Sequence, residues 1–351
     1  MANATLSQAK KLVIRALKAG IVPLLRSSPG MGKSALYHEV AEEFNLFHID
    51  LRLAGIDPTG ISGFPVFDLE KNIAKFVPLE YFPTDKTPLP SRMVAGKMKK
   101  YSGWLLTLDE ITSAAPATQA ACYQLILDRA AGLNKLHDLC FMVAAGNLES
   151  DNAIVEDMST ALKSRVMHIN ITLSVEEFLD WAYTNKVDNR ITSFINWKQL
   201  AGLTNFDPNS SDDTYACSRT WGFLDKLING QVISEEEMYP LVCSTIGDAM
   251  GAEFNGFCNI YLNLPKISDI LKDPENFPMP KGVDVQYALT GALAAATTTT
   301  NIGSVIKFIE RMGAEMQMIT FREIIKRDPK LATGSPEFTV WRKKFTQHIH
   351  G

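Results

Sequence analysis

The chain contains 351 residues, of which 46% are hydrophobic and 21% are charged, a balance that excludes a disordered protein and predicts roughly two domains. The formal net charge of -4 argues against a broad basic surface for nucleic acid. Five cysteines without a C-x-x-C pair indicate neither a disulfide framework nor a zinc motif, so we interpret them as buried thiols.

The N-terminal segment lacks the charged and apolar regions of a signal peptide. No run of about eighteen apolar residues, the length that a membrane span needs, occurs in the sequence. We therefore expect no membrane span and a cytoplasmic location.

The first half of the chain alternates between helical and strand-like patterns. Helical periodicity covers residues 6–19, 35–44 and 117–128, and strand-like runs cover residues 21–25, 47–51, 104–108 and 139–145. The last two runs are almost continuously apolar, which is typical of strands buried on both faces of a parallel sheet. The alternation predicts an α/β unit with a parallel sheet flanked by helices.

The second half is predicted to be mostly helical. Helical patterns cover residues 175–183, 220–228, 235–248, where Pro240 is expected to interrupt the helix, 305–312 and 316–325. The polar stretch 206–213 is rich in turn residues and is interpreted as a linker.

A glycine-rich loop follows the first strand-like run and leads into a helix, which is the context of a phosphate-binding P-loop. The loop residues predicted to hold the nucleotide are Pro29, Gly30, Met31, Gly32, Lys33 and Ser34. Their backbone N–H groups would surround phosphate oxygens, Lys33 would reach the β- and γ-phosphates of ATP, and Ser34 would bind Mg²⁺. Ser27 stands where the full pattern begins with glycine. The alternative is a glycine turn without a ligand.

Two adjacent carboxylates, Asp109 and Glu110, follow the strand-like run 104–108. A strand end beside a phosphate loop is where Mg²⁺ must be held, so we predict that Asp109 contributes to the metal site. Glu110 is predicted to orient and deprotonate the attacking water. Adjacent acids at a strand end are common, and only the upstream loop makes this pair specific.

Together these motifs resemble the AAA+ ATPases, and further segments resemble the MoxR-like branch. These segments are Asp57-Pro-Thr-Gly-Ile-Ser-Gly-Phe-Pro65, which looks like the insertion of that family in its second helix, and the run from Asp109 through Thr112 to Pro116. The resemblance implies an AAA+ core at residues 1–172, a helical connection and linker at 173–215, and an α-helical lid with a C-terminal extension at 216–351.

The resemblance also implies three further catalytic residues. Asn147 matches sensor 1, which helps to position the attacking water, Arg165 matches the arginine finger, and Arg219 matches sensor 2 on the lid. Each has a simpler alternative: Asn147 could end its strand in a turn, Arg165 could be a cation at a helix end, and Arg219 could be a solvated surface residue.

The implied function is ATP hydrolysis with Mg²⁺ by a homo-oligomer, a hexameric ring by resemblance, that remodels or matures a partner protein. Members of this branch commonly act beside a protein with a von Willebrand factor A domain. The chain lacks the Asp-x-Ser-x-Ser motif of such a domain, so a separately encoded partner is implied. An alternative is an AAA+ nucleic-acid motor or loader, in which the basic run Lys97–Lys100 could line a pore, although a short run of charges is usually a solvated face. A nucleotide kinase is a third reading, in which the helical half has no role.

Overall fold

The chain folds into two compact units in the computed structural model, which describes residues 3–151, 158–334 and 336–349. The first unit ends at Leu173 and includes Asp207–Asn209, and the second comprises Ser174–Phe206 and the chain from Ser210 onward. The predicted subdivision of the second half into a connection and a lid stays a prediction.

The first unit combines strands and helices. Its strands are β1 (Asn3–Ala4), β2 (Val22–Arg26), β3 (Leu46–Arg52), β4 (Phe64–Asp68), β5 (Ile73–Val77), β6 (Ser91–Val94), β7 (Lys97–Lys100), β8 (Gly103–Asp109), β9 (Ala130–Ala131), β10 (Asn134–Lys135), β11 (Cys140–Gly146) and β12 (Val166–Ile171). Its helices are α1 (Leu6–Lys18), α2 (Lys33–Glu43), α3 (Pro58–Ser62), α4 (Pro116–Asp128) and α5 (Thr160–Lys163).

Six of these strands form a parallel sheet in the order β1-β12-β2-β11-β8-β3. Because all the strands run in one direction, their carboxyl ends lie at one edge of the sheet, where open α/β sheets bind ligands. Strand β11 separates β2 from β8 and pairs with both. The segments that follow β2, β11 and β8 therefore emerge side by side.

Alternate residues of the central strands supply two hydrophobic cores, one on each face of the sheet. Leu24 and Leu106 belong to the core that includes Cys122 and Leu125 of α4. The residues beside them in the chain, such as Leu25, contribute to the opposite core with residues of α1 and α2. Full burial of one such leucine contributes about 2 kcal/mol, so helices that cover both faces hold the sheet firmly.

Three antiparallel hairpins interrupt this α/β pattern. The hairpins β4–β5 and β6–β7 lie between β3 and β8 in the chain, and β9–β10 lies between α4 and β11. Nearly every residue of the first two hairpins is exposed to solvent.

The second unit is helical. Its helices are α6 (Val175–Thr184), α7 (Asn189–Lys198), α8 (Leu200–Leu203), α9 (Ser218–Ile228), α10 (Glu235–Ile246), α11 (Asp248–Leu262), α12 (Ile267–Lys272), α13 (Val283–Ala296), α14 (Ile302–Ile309), α15 (Ala314–Arg327), α16 (Pro329–Gly334) and α17 (Pro336–Ile349). One of its cores is aromatic: the ring of Phe194 lies 5.8 Å from Trp221, 5.3 Å from Phe254 and 5.6 Å from Phe257. The pairs with Phe254 and Phe257 are edge-to-face, a geometry that stabilises beyond the area that it buries.

The fold class predicted from the sequence is confirmed in its architecture: a parallel sheet flanked by helices is followed by a mostly helical region. All five cysteines are free and buried, as predicted. Within the described ranges, no helix is long and apolar enough to cross a membrane.

The sequence patterns missed β12 and all three hairpins. In β12 the apolar residues Val166, Ile169 and Ile171 are buried, whereas His168 and Asn170 are only partly buried, so no continuous apolar run marks the strand. Pro240 was expected to interrupt a helix, yet α10 continues through it.

A buried carboxyl group, Glu323 of α15, lies among the helices of the second unit. Its Oε1 accepts hydrogen bonds from Arg327 Nε at 2.7 Å and from Thr192 Oγ1 at 3.3 Å, whereas its Oε2 has no partner among the described residues. Burial raises the pKa of Glu323 to about 7 from its ordinary 4.5, and the charge of Arg327 only partly opposes this shift.

We predict that the stability of the second unit falls as pH rises from about 4.5 to about 7, because folded Glu323 keeps a proton that the unfolded chain has already lost. Glu323→Gln resembles the protonated form and should not lose stability in this way. Its free energy of unfolding should therefore exceed that of wild type by an amount that grows between pH 4.5 and 7 and reaches at most about 3 kcal/mol above pH 7. Denaturant unfolding can follow tryptophan fluorescence, because four of the five tryptophans lie in this unit.

The exposed Glu236→Gln serves as the control for loss of a carboxylate without burial. A stability difference between wild type and Glu323→Gln that does not change with pH would contradict the prediction.

Candidate nucleotide-binding site

The glycine-rich loop joins the buried strand β2 to helix α2. Gly30 and Gly32 adopt φ values of 77° and 85°, in the left-handed region that side chains disfavour. Gly32 is also the N-cap of α2, so the loop ends where the unpaired N–H groups of the first helical turn begin. Such a helix start is suited to bind an anion.

The ammonium group of Lys33 joins the loop to the neighbouring strand end. Lys33 Nζ donates to Ser27 O at 2.8 Å, to Ser27 Oγ at 2.9 Å and to Ser28 O at 3.4 Å. It also donates to Asn147 Oδ1 at 3.2 Å, just beyond the end of β11. Two predicted site residues that are far apart in the sequence are therefore in direct contact.

A second contact joins the start of α2 to the end of β8, the strand next to β11 in the sheet. Ser34 Oγ donates to Asp109 Oδ2 at 3.1 Å, and Asp109 Oδ1 accepts from the backbone N–H of Glu110 at 2.8 Å. A hydroxyl and a carboxylate oxygen are hard ligands of the kind that Mg²⁺ prefers. In the part of the chain that the structure describes, no three His, Cys, Asp or Glu side chains cluster as a metal site. Mg²⁺ would need few protein ligands here, because it keeps waters and takes phosphate oxygens from the nucleotide.

Glu110 is exposed and has a left-handed backbone, with φ of 57° and ψ of 29°. This conformation is uncommon outside glycine, asparagine and aspartate, and such outliers cluster at functional sites. The turn ends β8 sharply at Asp109, so the two acids lie at the sheet edge rather than within the strand.

Thr112 holds Asn147 in place and was not identified from the sequence. Its Oγ1 accepts a hydrogen bond from the backbone N–H of Asn147 at 2.9 Å. A Cβ atom on Gly146 would lie 2.6 Å from the Thr112 side chain, so this approach requires glycine at position 146. No local pattern indicates the contact.

Tyr37 fastens the helix that begins at Lys33 to the sheet. Its hydroxyl is fully buried and donates to Ala144 O of β11 at 2.6 Å. Burial raises the pKa of Tyr37 well above its ordinary value, so the phenol stays a neutral donor. The helix carrying Lys33 and Ser34 is thereby tied to the strand that precedes Asn147.

Two further acids lie beside the predicted site. Burial, and then the negative charge of Asp109, raise the pKa of Asp50 on β3. Asp151 accepts a hydrogen bond from Ser28 Oγ of the loop at 3.2 Å and is itself buried. Neither was identified from the sequence, because each depends on contacts between distant segments.

Arg165 makes its described contacts with residues other than those of the loop. Its Nη1 donates to Ala161 O at 2.7 Å and to Ser164 Oγ at 3.0 Å, and its guanidinium lies 4.5 Å from the ring centroid of Tyr123. Among the described contacts, none joins Arg165 to Lys33. The arginine is therefore held at the end of α5, against α4.

Arg219 belongs to the second unit. It lies in the first turn of α9 and its side chain is exposed. The sensor role that the resemblance implies for it stays a prediction.

Comparisons with known proteins do not assign the chain to a protein family. No protein-family model matches the chain, and no curated protein gives a significant match. Among solved structures, a candidate ATPase from Cytophaga hutchinsonii is 12% identical, with 92% of this chain and 81% of that chain covered and a TM-score of 0.34.

Two structures of RuvB from Thermotoga maritima are also similar. One is a mutant, 17% identical, with 84% of this chain and 86% of that chain covered and a TM-score of 0.40. The other, described as a Holliday junction branch migration motor, is 16% identical, with 88% and 87% covered and a TM-score of 0.36. Sequence identities and TM-scores this low support no conclusion about activity, so the function must be inferred from the residues of this chain.

Proposed function

We propose that the chain is an ATP-hydrolysing AAA+ protein of the MoxR-like type. The observation that supports this most is the pair of contacts Lys33–Asn147 and Ser34–Asp109, at 3.2 and 3.1 Å. They bring the glycine-rich loop together with the ends of the next two strands. This is the placement that a nucleotide with its magnesium ion requires.

In this proposal each residue has a separate task. Backbone N–H groups at Gly30 to Ser34 bind phosphate oxygens, and the Lys33 ammonium binds the β- and γ-phosphates. Ser34 and Asp109 hold Mg²⁺, which would neutralise charge that develops on the phosphates. Glu110 takes the proton of the attacking water, and Asn147 orients that water.

We further propose that Arg165 acts on the nucleotide of a neighbouring subunit, since its guanidinium makes no described contact with the loop of its own chain. To reach a neighbour, it has to leave the ring of Tyr123. The active form would then be a ring, hexameric by resemblance, with Arg219 of the second unit as sensor 2. An arginine supplied from outside stabilises charge on the γ-phosphate in other phosphoryl-transfer enzymes.

The work done by hydrolysis would be the remodelling or maturation of a partner protein. A separately encoded protein with a von Willebrand factor A domain is the partner that the resemblance implies. A cytoplasmic location belongs to the same proposal. Capture of binding proteins by an ATP-trapped Glu110→Gln form would identify the partner.

A nucleic-acid motor is the second candidate, and the hairpin β6–β7 favours it. Four of the residues at positions 91–100 are Lys or Arg and none is acidic. Arg92 lies directly opposite Lys99 across the strands, an arrangement that is destabilising without a counter-charge. Within the described ranges, no carboxylate pairs with any of the four cations. A basic two-stranded ribbon fits the major groove of duplex DNA.

Lys33→Ala should abolish ATP binding, because the ammonium is the main side-chain charge on the β- and γ-phosphates. Glu110→Gln should retain ATP and slow hydrolysis by about a hundredfold or more, as expected when a general base is lost. Calorimetric titration measures ATP binding, and phosphate release measures the rate of hydrolysis. The exposed residues Lys18 and Glu80 provide matched controls as Lys18→Ala and Glu80→Gln. Unchanged ATP affinity in folded Lys33→Ala would refute the site.

Arg165→Ala should bind ATP normally but hydrolyse it about a thousandfold more slowly. Mixed with Lys33→Ala protein, it should recover a small fraction of the activity, because one interface then pairs an intact loop with an intact arginine. The phosphate-release rate is measured against mixing ratio while light scattering follows assembly, with the exposed Arg15→Ala as control. Full activity in Arg165→Ala alone would remove this assignment.

The nucleic-acid candidate predicts that duplex DNA stimulates the ATPase and that Lys97→Gln/Lys99→Gln removes the stimulation. The affinity of wild type for DNA should fall as the salt concentration rises. In a plot of log affinity against log salt concentration, the slope of the variant should be shallower by the amount expected for about two lost phosphate contacts. The same charge change on α1, Lys11→Gln/Lys18→Gln, is the control, since both lysines are exposed there. An ATPase rate that DNA leaves unchanged in wild type would reject this candidate.

A further inference from the structure

Ser27 stands where the P-loop pattern begins with glycine, and its side chain faces the functional lysine. The residue is fully buried. Its hydroxyl donates to Ser28 O at 2.9 Å and accepts from Lys33 Nζ at 2.9 Å. A glycine at this position offers no oxygen beyond its carbonyl.

The direction of these bonds follows from the chemistry of a hydroxyl group. A serine hydroxyl has one hydrogen and two lone pairs. Because the Ser28 carbonyl takes the hydrogen, a lone pair of Ser27 Oγ is left for the ammonium. The bond to Lys33 is therefore charge-assisted, the stronger class of hydrogen bond.

We propose that Ser27 is a positioning residue that fixes the Lys33 ammonium for the incoming phosphates. Ser27 supplies the two shortest described contacts of the ammonium, through O at 2.8 Å and Oγ at 2.9 Å. The contacts with Asn147 Oδ1 at 3.2 Å and with Ser28 O at 3.4 Å are longer. In this proposal a phosphate oxygen that reaches Lys33 replaces these two longer contacts while Ser27 stays bound, and the Asn147 amide is then free to orient water. This role rests on the proposed function.

The contact itself can be tested without nucleotide. In a double-mutant cycle, Ser27→Ala should lower the melting temperature of the apo protein by about 2–4 °C more in the wild-type background than in Lys33→Met. Differential scanning calorimetry on the full chain measures the four proteins. A purely structural serine would give the same decrease in both backgrounds, which would overturn the proposal.

Two variants and one control assign the effect to the hydroxyl. Ser27→Ala removes the hydroxyl and keeps the β-carbon, whereas Ser27→Gly removes both. Both variants should lose the coupling to Lys33. Ser28→Ala removes the adjacent hydroxyl, which bonds to Asp151 instead of Lys33, and should show no coupling. Coupling of Ser28 equal to that of Ser27 would overturn the proposal.

Calorimetric titration with ATP then tests the consequence. Ser27→Ala and Ser27→Gly should both raise the Kd for ATP by about three- to tenfold, through loss of one charge-assisted bond. An unchanged Kd in both would refute a role of Ser27 in nucleotide binding. If wild type does not bind ATP, the proposed function fails, and the apo cycle alone still decides whether Ser27 holds Lys33.

Discussion

The site depends on one electrostatic contact, the Lys33 ammonium held between the glycine-rich loop and Asn147. A partly buried ammonium needs oxygen partners in place of the water that it loses, and the chain supplies them from two separate strand ends. This is possible because β11 lies beside β2 and runs parallel to it. A change in strand order would separate the lysine from the asparagine, whatever their local sequences.

The surrounding structure restricts movement at this point. Tyr37 fixes the first helix of the site to β11, and Thr112 fixes the backbone of Asn147. Both bonds use buried or partly buried hydroxyl groups whose loss would leave polar atoms unpaired, which is costly. The residues at this edge of the sheet are thus held in place by hydrogen bonds and by apolar packing on both faces of the sheet.

Much of this could be predicted from the sequence, for physical reasons that differ between elements. Strands β8 and β11 are almost continuously apolar because helices cover both faces of the sheet, so their runs are easily recognised in the sequence. The loop and Asp109 carry local motifs. Thr112 could not be recognised, because its bond to Asn147 spans 35 positions, and the bond of Ser28 to Asp151 spans 123. The roles of Arg165 and Arg219 stay predictions, since they depend on other subunits or on nucleotide.

The burial of every cysteine has a practical consequence for experiments on this chain. Thiol reagents react with thiolates, and burial raises the pKa of Cys122 and of Cys140 to about 12, so these sulfurs stay protonated and enclosed. Because all five native thiols are buried, an exposed introduced cysteine should react with a fluorophore or spin label faster than they do. The exposed turn at Ala95, between two solvent-facing strands, offers such an attachment point, from which distances to neighbouring molecules could be measured.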